Sequence, residues 1–292
     1  MGRGSLSERT AFYTPDIFVA TVAGMTEFSD IRDLIDLRRY PIDAPGQAQT
    51  GSFVSWCHDE ISRHGVVILE QFTPDPALKR LREEWTPLLP DAFYTDIHHN
   101  CFLMPGDAKY PPDHPRNRTM HNNKGGIADD LIPADALLRQ IYDWPPFRRF
   151  VAAVVDEPTL VPLADPLSSL NINIHRQNQI QGWHFDGAQF AITLMLQTAH
   201  TGGEFKYTGV LRDEGDAEFE RIGAVLDGDD TDVSTLNIQA GTLVIFRGHR
   251  SLHCVTGPKG DRPRVNAILS YASKEGVALA EHTRQLFYGR TT

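Results

Sequence analysis

Leu170-Asn171-Ile172-Asn173-Ile174-His175 alternates apolar and polar side chains, and at this stretch the chain changes character. In extended backbone, successive side chains point to opposite faces. Leu170, Ile172 and Ile174 therefore predict a buried face, while Asn171, Asn173 and His175 share the other. Downstream, segments 179–184, 190–197, 204–207, 235–238, 242–246, 252–255 and 264–271 also read as short strands. Gly202-Gly203, Asp227-Gly228 and Gly257-Pro258 supply turn signals between them. Short strands in series, with no helix expected among them, predict a double-sheet jelly roll (a double-stranded β-helix) over 166–275.

Upstream of this stretch the period is helical. Residues 27–39 carry Phe28, Ile31, Leu34, Ile35 and Leu37 at near-helical spacing, and Tyr40-Pro41 ends the run. A second helix is expected over 53–64, followed by the apolar strand Val66-Val67-Ile68-Leu69. A third starts at Asp75-Pro76 and sets Leu78, Leu81 and Trp85 on one side; helical patterns resume over 134–142 and 147–155. The fold class expected is α+β, mainly β. One domain spans 1–292, with a mainly helical N-terminal layer over 1–165 bracing one outer sheet face and the jelly-roll core as its catalytic part. Residues 87–131 are rich in Pro, Asn, Asp and His without a clean period, which predicts a functional lid or rim. His98, His99, Asn100, Arg116, Arg118, His121, Asn122 and Asn123 lie on it, with Arg116 and Arg118 as candidate anion holders.

The formal net charge of -10 leaves no basic surface to neutralise a phosphate backbone, so nucleic acid is not an expected partner. Cys57, Cys101 and Cys254 have no paired spacing, and an odd number cannot be fully bridged within the chain. A reducing compartment is the simpler reading, and the expected location is cytoplasmic. No stretch approaches the roughly 18 apolar residues that span a bilayer, and Met1-Gly2-Arg3-Gly4-Ser5 leads into polar residues instead of a signal-peptide core.

The sharpest chemical feature is Trp183-His184-Phe185-Asp186 at the end of a strand candidate. Residues i and i+2 share a side, so His184 and Asp186 can meet one metal without distorting the chain. Alone, so short a motif is weak. His253 adds to it, lying in another strand candidate after the apolar run Leu243-Val244-Ile245-Phe246; a jelly roll can bring such distant strands face to face. Two histidines and one carboxylate on one face of an octahedral metal leave three positions open, as in non-haem iron(II) oxygenases. Zinc also accepts this set. His249 competes as the distal ligand, but Leu252 and Cys254-Val255 flank His253 as a strand, whereas Arg247, Gly248 and Arg250 surround His249.

In Arg264-Val265-Asn266-Ala267-Ile268, alternation puts Arg264, Asn266 and Ile268 on one side. A guanidinium holds a carboxylate by two parallel hydrogen bonds, which suits the distal end of a dicarboxylate whose 2-oxo acid end chelates the metal. Arg262 is the runner-up, and a surface strand arginine paired with an acid is the bland alternative. Asn171, Asn173, His175 and Asn266, joined by Gln181, form a candidate substrate lining; the asparagines would otherwise serve backbone groups at sheet edges. Thr193 is a candidate second contact for the dicarboxylate, against the ordinary reading of a β-branched strand residue.

The run from Trp183 to Asp186, Phe190 to Gln197, Gly202-Gly203-Glu204-Phe205-Lys206-Tyr207, His253-Cys254-Val255 and Arg264 resembles the iron(II)- and 2-oxoglutarate-dependent dioxygenase superfamily over roughly 130–272. Within it the chain is most similar to the bacterial group of small-molecule and free amino acid hydroxylases that also contains carrier-independent halogenases. The resemblance implies iron(II) and 2-oxoglutarate as cofactors, molecular oxygen as co-substrate, and hydroxylation of an unactivated carbon of a polar small molecule such as a free amino acid or nucleoside-like metabolite. Halogenases of the group replace the carboxylate ligand with a small residue; Asp186 is retained, which favours hydroxylation. Desaturation or ring formation would use the same ligands. The rival readings are a jelly-roll metabolite-binding protein without catalysis, a cupin-type isomerase or hydrolase, and a protein-modifying oxygenase.

Overall fold

A computed structural model describes residues 31–213 and 216–292. Helices α1 (Ala48–His64) and α2 (Asp75–Trp85) flank strand β1 (Val66–Leu69). Pro76 in the first turn of α2 is pre-set for a helix start, where its missing N–H costs nothing. Helices α3 (Leu137–Asp143) and α4 (Pro145–Val154) follow strands β2 (Phe93–Tyr94), β3 (Ile97–Asn100), β4 (Thr119–Asn122) and β5 (Gly125–Ile127). The expected helix over 27–39 begins outside the described residues, and within them only Ile31–Leu34 makes a 3-10 turn. Leu34 and Ile35 are buried, as their spacing suggested, and so is Tyr40. Tertiary hydrogen bonds replace the helical ladder there: the Asp36 N–H donates to Phe72 O at 2.9 Å, and the Tyr40 hydroxyl to Glu70 O at 2.6 Å.

After β6 (Val161–Pro162) come β7 (Leu170–His175), β8 (Gln181–His184), β9 (Ala191–Gln197) and β10 (Phe205–Val210). The hairpin β11 (Arg212–Asp213) and β12 (Asp216–Ala217) leads to helix α5 (Phe219–Leu226). Then follow β13 (Val233–Leu236), β14 (Leu243–Phe246), β15 (Ser251–Val255), β16 (Arg264–Leu269), β17 (Tyr271–Ala272) and helix α6 (Glu281–Tyr288). One sheet has the order β1-β14-β9-β16-β7-β5-β2 and the other β13-β10-β15-β8-β4-β3. From β7 to β10 the chain alternates between sheets, as it does again from β14 to β16, which makes the double-stranded β-helix.

Strand alternation decides what each sheet face does. Leu170, Ile172 and Ile174 of β7, Ile192, Leu194 and Leu196 of β9, and Val265, Ala267 and Leu269 of β16 join one apolar cluster. Phe53, Cys57 and Ile61 of α1, Leu81 and Trp85 of α2, and Phe147, Phe150 and Val151 of α4 complete it. The helices thus cover the outer face of the first sheet, and the polar residues between those strand positions turn to the space between the sheets.

Two sequence expectations change. The strands are not free of helices, because α5 packs Ile222, Val225 and Leu226 against Phe185 and Leu252 on the second sheet. Its apolar residues do recur at helical spacing, but eight residues is too short a window for that period to stand out. The aperiodic span 87–131 is not all loop, since β2 to β5 extend both sheets. Strands of two to four residues carry too few side chains to show alternation, and their order comes from backbone pairing. Irregular backbone persists between β3 and β4. Among the described residues, no helix is long and apolar enough to cross a membrane.

Candidate metal centre and its cavity

Antiparallel pairing of β15 with β8 sets His253 directly opposite His184, ring centroids 4.1 Å apart. Asp186 lies just past the end of β8, where its N–H donates to Gly248 O at 3.0 Å. Asp186 Oδ1 stands 3.6 Å from His184 Nε2 and 3.4 Å from His253 Nε2. The three donor atoms lie within 4.8 Å of one another, and no other such group occurs among the described residues. Each imidazole is oriented from behind: His184 Nδ1 donates to Gly182 O at 2.8 Å and His253 Nδ1 to Ser251 O at 3.0 Å. A carbonyl only accepts, so the proton sits on Nδ1 and each Nε2 keeps its lone pair for a metal. The Gln181 amide lies 2.9 Å from His184 Nε2, a contact that metal binding would replace.

Electrostatics suit the same task. Burial, with His253 alongside, holds His184 well below the ordinary imidazole range, so it is neutral. Burial pushes the Asp186 carboxyl up, but the two imidazoles and Lys124 outweigh it and the group titrates at about 2. Two imidazoles and one carboxylate form the donor set of an open facial site, which fits iron(II). Gly248 makes room for this carboxylate, since a Cβ there would stand 1.8 Å from Asp186 Oδ2. Arg212 donates to the backbone oxygens of His249 and Asp186 and stacks over Phe185, bracing the turn. His249, the rival ligand, is bonded through Nδ1 to Gln189 O and is absent from the donor cluster.

The metal triad opens into a cavity of about 610 Å³ between the sheets. Arg264 lines it, only 4% exposed; among the described residues its Nε has no partner and no carboxylate stands beside it. Burial alone lowers its pKa to about 10. A buried guanidinium without a counter-charge is costly and awaits an anion. Gly203, with φ of +69° that favours glycine, leaves room for the Arg264 side chain, since a Cβ there would stand 3.2 Å from Arg264 Cδ. Arg262, the alternative, is not on the cavity wall.

Asn171, Asn173, His175, Asn266 and Thr193 all line the cavity. The β7–β16 register matches His175 to Arg264, Asn173 to Asn266 and Asn171 to Ile268. Among the described residues neither His175 ring nitrogen has a partner, nor does Asn266 Oδ1, whereas Asn171 donates to Ser168 O at 3.1 Å. Arg118 is committed elsewhere, to Asp227 and Leu226 O, while Arg116 donates to Pro105 O, and neither lines this cavity. From that span Phe102, Leu103, Met104, Lys124, Gly125 and Gly126 reach the wall instead.

Sequence reading did not single out Lys124, Gly248, Arg212 or the α6 segment. The only local signal for Lys124 was its place in Asn122-Asn123-Lys124-Gly125-Gly126, a polar run with no period. Helix α6 carries Thr283, Phe287 and Tyr288 onto the wall.

Comparison with known proteins agrees with this geometry. The profile of the halogenase D family (HalD) matches residues 50–287. No curated protein sequence is similar enough to count as a match. Among solved structures, the non-haem α-ketoglutarate-dependent epimerase SnoN from nogalamycin biosynthesis shares 13% identity at a TM-score of 0.54, covering 76% of this chain and 81% of its own. AviO1 from Streptomyces viridochromogenes Tue57 shares 16% identity at 0.53, with 77% and 97% covered. HygX from Streptomyces hygroscopicus, solved with nickel, 2-oxoglutarate and hygromycin B, shares 11% at 0.50, with 80% and 94% covered. At these identities the likeness is one of fold. The family match spans most of the sequence and includes the strands of the triad, so the chain belongs to the halogenase D family, within the iron(II)- and 2-oxoglutarate-dependent oxygenases that its sequence resembles.

Proposed function

We propose that this protein hydroxylates an unactivated carbon of a polar small molecule, such as a free amino acid or a nucleoside-like metabolite, using iron(II), 2-oxoglutarate and oxygen. The carrying observation is a complete His184-Asp186-His253 donor set that shares one cavity with the unpaired Arg264 guanidinium. His184, Asp186 and His253 would hold the iron, and Arg264 would take the far carboxylate of 2-oxoglutarate, with Thr193 on the neighbouring strand β9 of the same sheet. Bound iron and 2-oxoglutarate supply the oxidising power. The protein orients the substrate, braces the ligands through Gly182 O and Ser251 O, and keeps bulk water from the centre. In balance, substrate C–H, oxygen and 2-oxoglutarate give substrate C–OH, succinate and carbon dioxide.

Asp186 argues for oxygen transfer despite the family name. A halogenase of this group needs the position it fills for halide, and Gly248 is shaped around its carboxylate. The cavity-facing Asn171, Asn173, His175 and Asn266 are proposed to hold the substrate's polar groups. The irregular span after β3, through Phe102 and Met104, is proposed as the rim over it.

The test is a mass-spectrometric screen of free amino acids and nucleosides with the iron-loaded enzyme under oxygen, read alongside succinate release. The expected product gains one oxygen atom, and His184→Ala abolishes both signals. A protein that binds iron yet releases no succinate with any candidate would be a binding protein instead.

A further inference from the structure

Strand β8 carries one residue too many for its partner. His184 pairs with His253, but Gln181 pairs with Val255, so three steps along β8 match two along β15. Such a β-bulge, common beside active sites, re-aims a side chain. Trp183 and Phe185 pack outward against α5, and strict alternation would send Gln181 out with them. The bulge returns it to the cavity wall, on the same side as His184.

Gly182 makes this bulge possible. A Cβ there would stand 2.6 Å from His121 O and 2.7 Å from Met120 Cβ, so β4 leaves room for glycine alone. The Gly182 carbonyl accepts the Nδ1 proton of His184, which leaves Nε2 with only a lone pair. The 2.9 Å contact at Nε2 is therefore a donation from the Gln181 carboxamide N–H into that lone pair. Among the described residues the carboxamide makes no other hydrogen bond.

Iron(II) at the proposed centre claims the same lone pair. A metal bonds an imidazole nitrogen at about 2.1 Å, inside the reach of the amide, so the carboxamide must turn aside. Its flexible side chain then leaves the N–H next to the open coordination positions and in need of a new acceptor. Both ligand imidazoles have Nδ1 engaged with backbone carbonyls, and the Asp186 carboxylate is seated against Gly248. A coordinated oxygen donor from outside the protein is the acceptor that remains.

We propose that Gln181 is a positioning residue, donating a hydrogen bond to the metal-coordinating 2-oxo acid end of 2-oxoglutarate while Arg264 holds the other end. This rests on the oxygenase reading and adds a residue to it. In the metal-free protein the same amide occupies the His184 lone pair, so it competes with iron and then serves the cosubstrate.

The probe is 2-oxoglutarate itself, titrated anaerobically into the iron(II) protein. The readout is the visible charge-transfer band from iron(II) to the 2-oxo acid, which responds to hydrogen bonding at that end. Gln181→Leu should shift the band and weaken 2-oxoglutarate about tenfold or more, as for loss of a hydrogen bond to a charged group. Iron(II) alone should bind this variant at least as tightly as wild type, because a competitor for His184 is gone. Arg264→Met, acting at the far end, should weaken 2-oxoglutarate without shifting the band at saturation. An unshifted band and unchanged 2-oxoglutarate affinity in Gln181→Leu would overturn the assignment. Weaker binding of iron alone would overturn it too, since Gln181 would then be supporting the protein ligands. A wild type that binds iron yet shows no band with 2-oxoglutarate would instead strike the oxygenase reading, and the assignment with it.

Discussion

Gly248→Ala should disarm the metal centre without unfolding the protein. A Cβ at this position would lie 1.8 Å from Asp186 Oδ2 and 2.6 Å from its Cγ. To restore even a tight 3.0 Å separation, the carboxylate oxygen must move by roughly 1.2 Å, more than twice the tolerance of about 0.5 Å within which a ligand constellation works. Gly248 is not among the positive-φ glycines, so alanine suits the backbone and the clash falls on the ligand alone. The Asp186 N–H to Gly248 O bond limits how far the turn can retreat. Loss of orienting contacts around a metal ligand costs about 10- to 100-fold in metal affinity, and displacing the ligand itself should reach at least the upper end, near 3 kcal/mol. The assay is competitive iron(II) titration against a chromophoric chelator, with thermal melting of the metal-free protein as the control. Melting should match wild type. Adding Gly248→Ala to Asp186→Ala should cost nothing more, because the clashing partner is gone. Iron affinity within about threefold of wild type in the single variant would refute the placement of this carboxylate.

Arg264→Met should weaken 2-oxoglutarate at least about 100-fold, with Arg264→Lys intermediate because an ammonium cannot make the two parallel bonds; calorimetry of the variants checks this. Lys124 carries a pH signature, since burial lowers its pKa to about 7 while the unfolded chain keeps the proton to about 10.4. Between those values the unfolded state binds more protons at this group, so its contribution to the stability of the ligand-free protein should grow with pH above 7, by a few kcal/mol in all. Melting curves from pH 7 to about 9.5 should show wild type gaining stability relative to Lys124→Met as the pH rises. Cys57, Cys101 and Cys254 are buried free thiols pushed well above the ordinary thiol range by burial. None should react with a thiol reagent in the native protein, and all three should react together on unfolding; rapid native labelling of any one would contradict its packing.

Much of the architecture was legible because it is written at a spacing of two residues. Alternation in 170–175 and 264–269 separates the helix-covered face from the cavity face, and the His184-Asp186 pair obeys the same rule. In 251–255, Leu252 packs outward toward α5 and His253 inward, which is why strand context told His253 from His249. Helices α1, α2 and α4 were visible because each buries an apolar stripe several turns long. Short elements were not: α5, α6 and the strands from β2 to β5 carry too few side chains for a period to emerge.

From the chain alone one can therefore read which residues share a face and which chemistry three of them can perform together. Folding adds what no local pattern carries, because it depends on segments far apart in sequence meeting across the two sheets. It sets Lys124 against Asn173, brings Gly248 up to Asp186 and lays Phe287 over the cavity. It also leaves Arg264 without a counter-charge among the described residues, a property of what packs around that guanidinium as much as of the residue. Periodicity is a property of neighbours along the backbone, whereas burial of a charge is a property of everything packed around it.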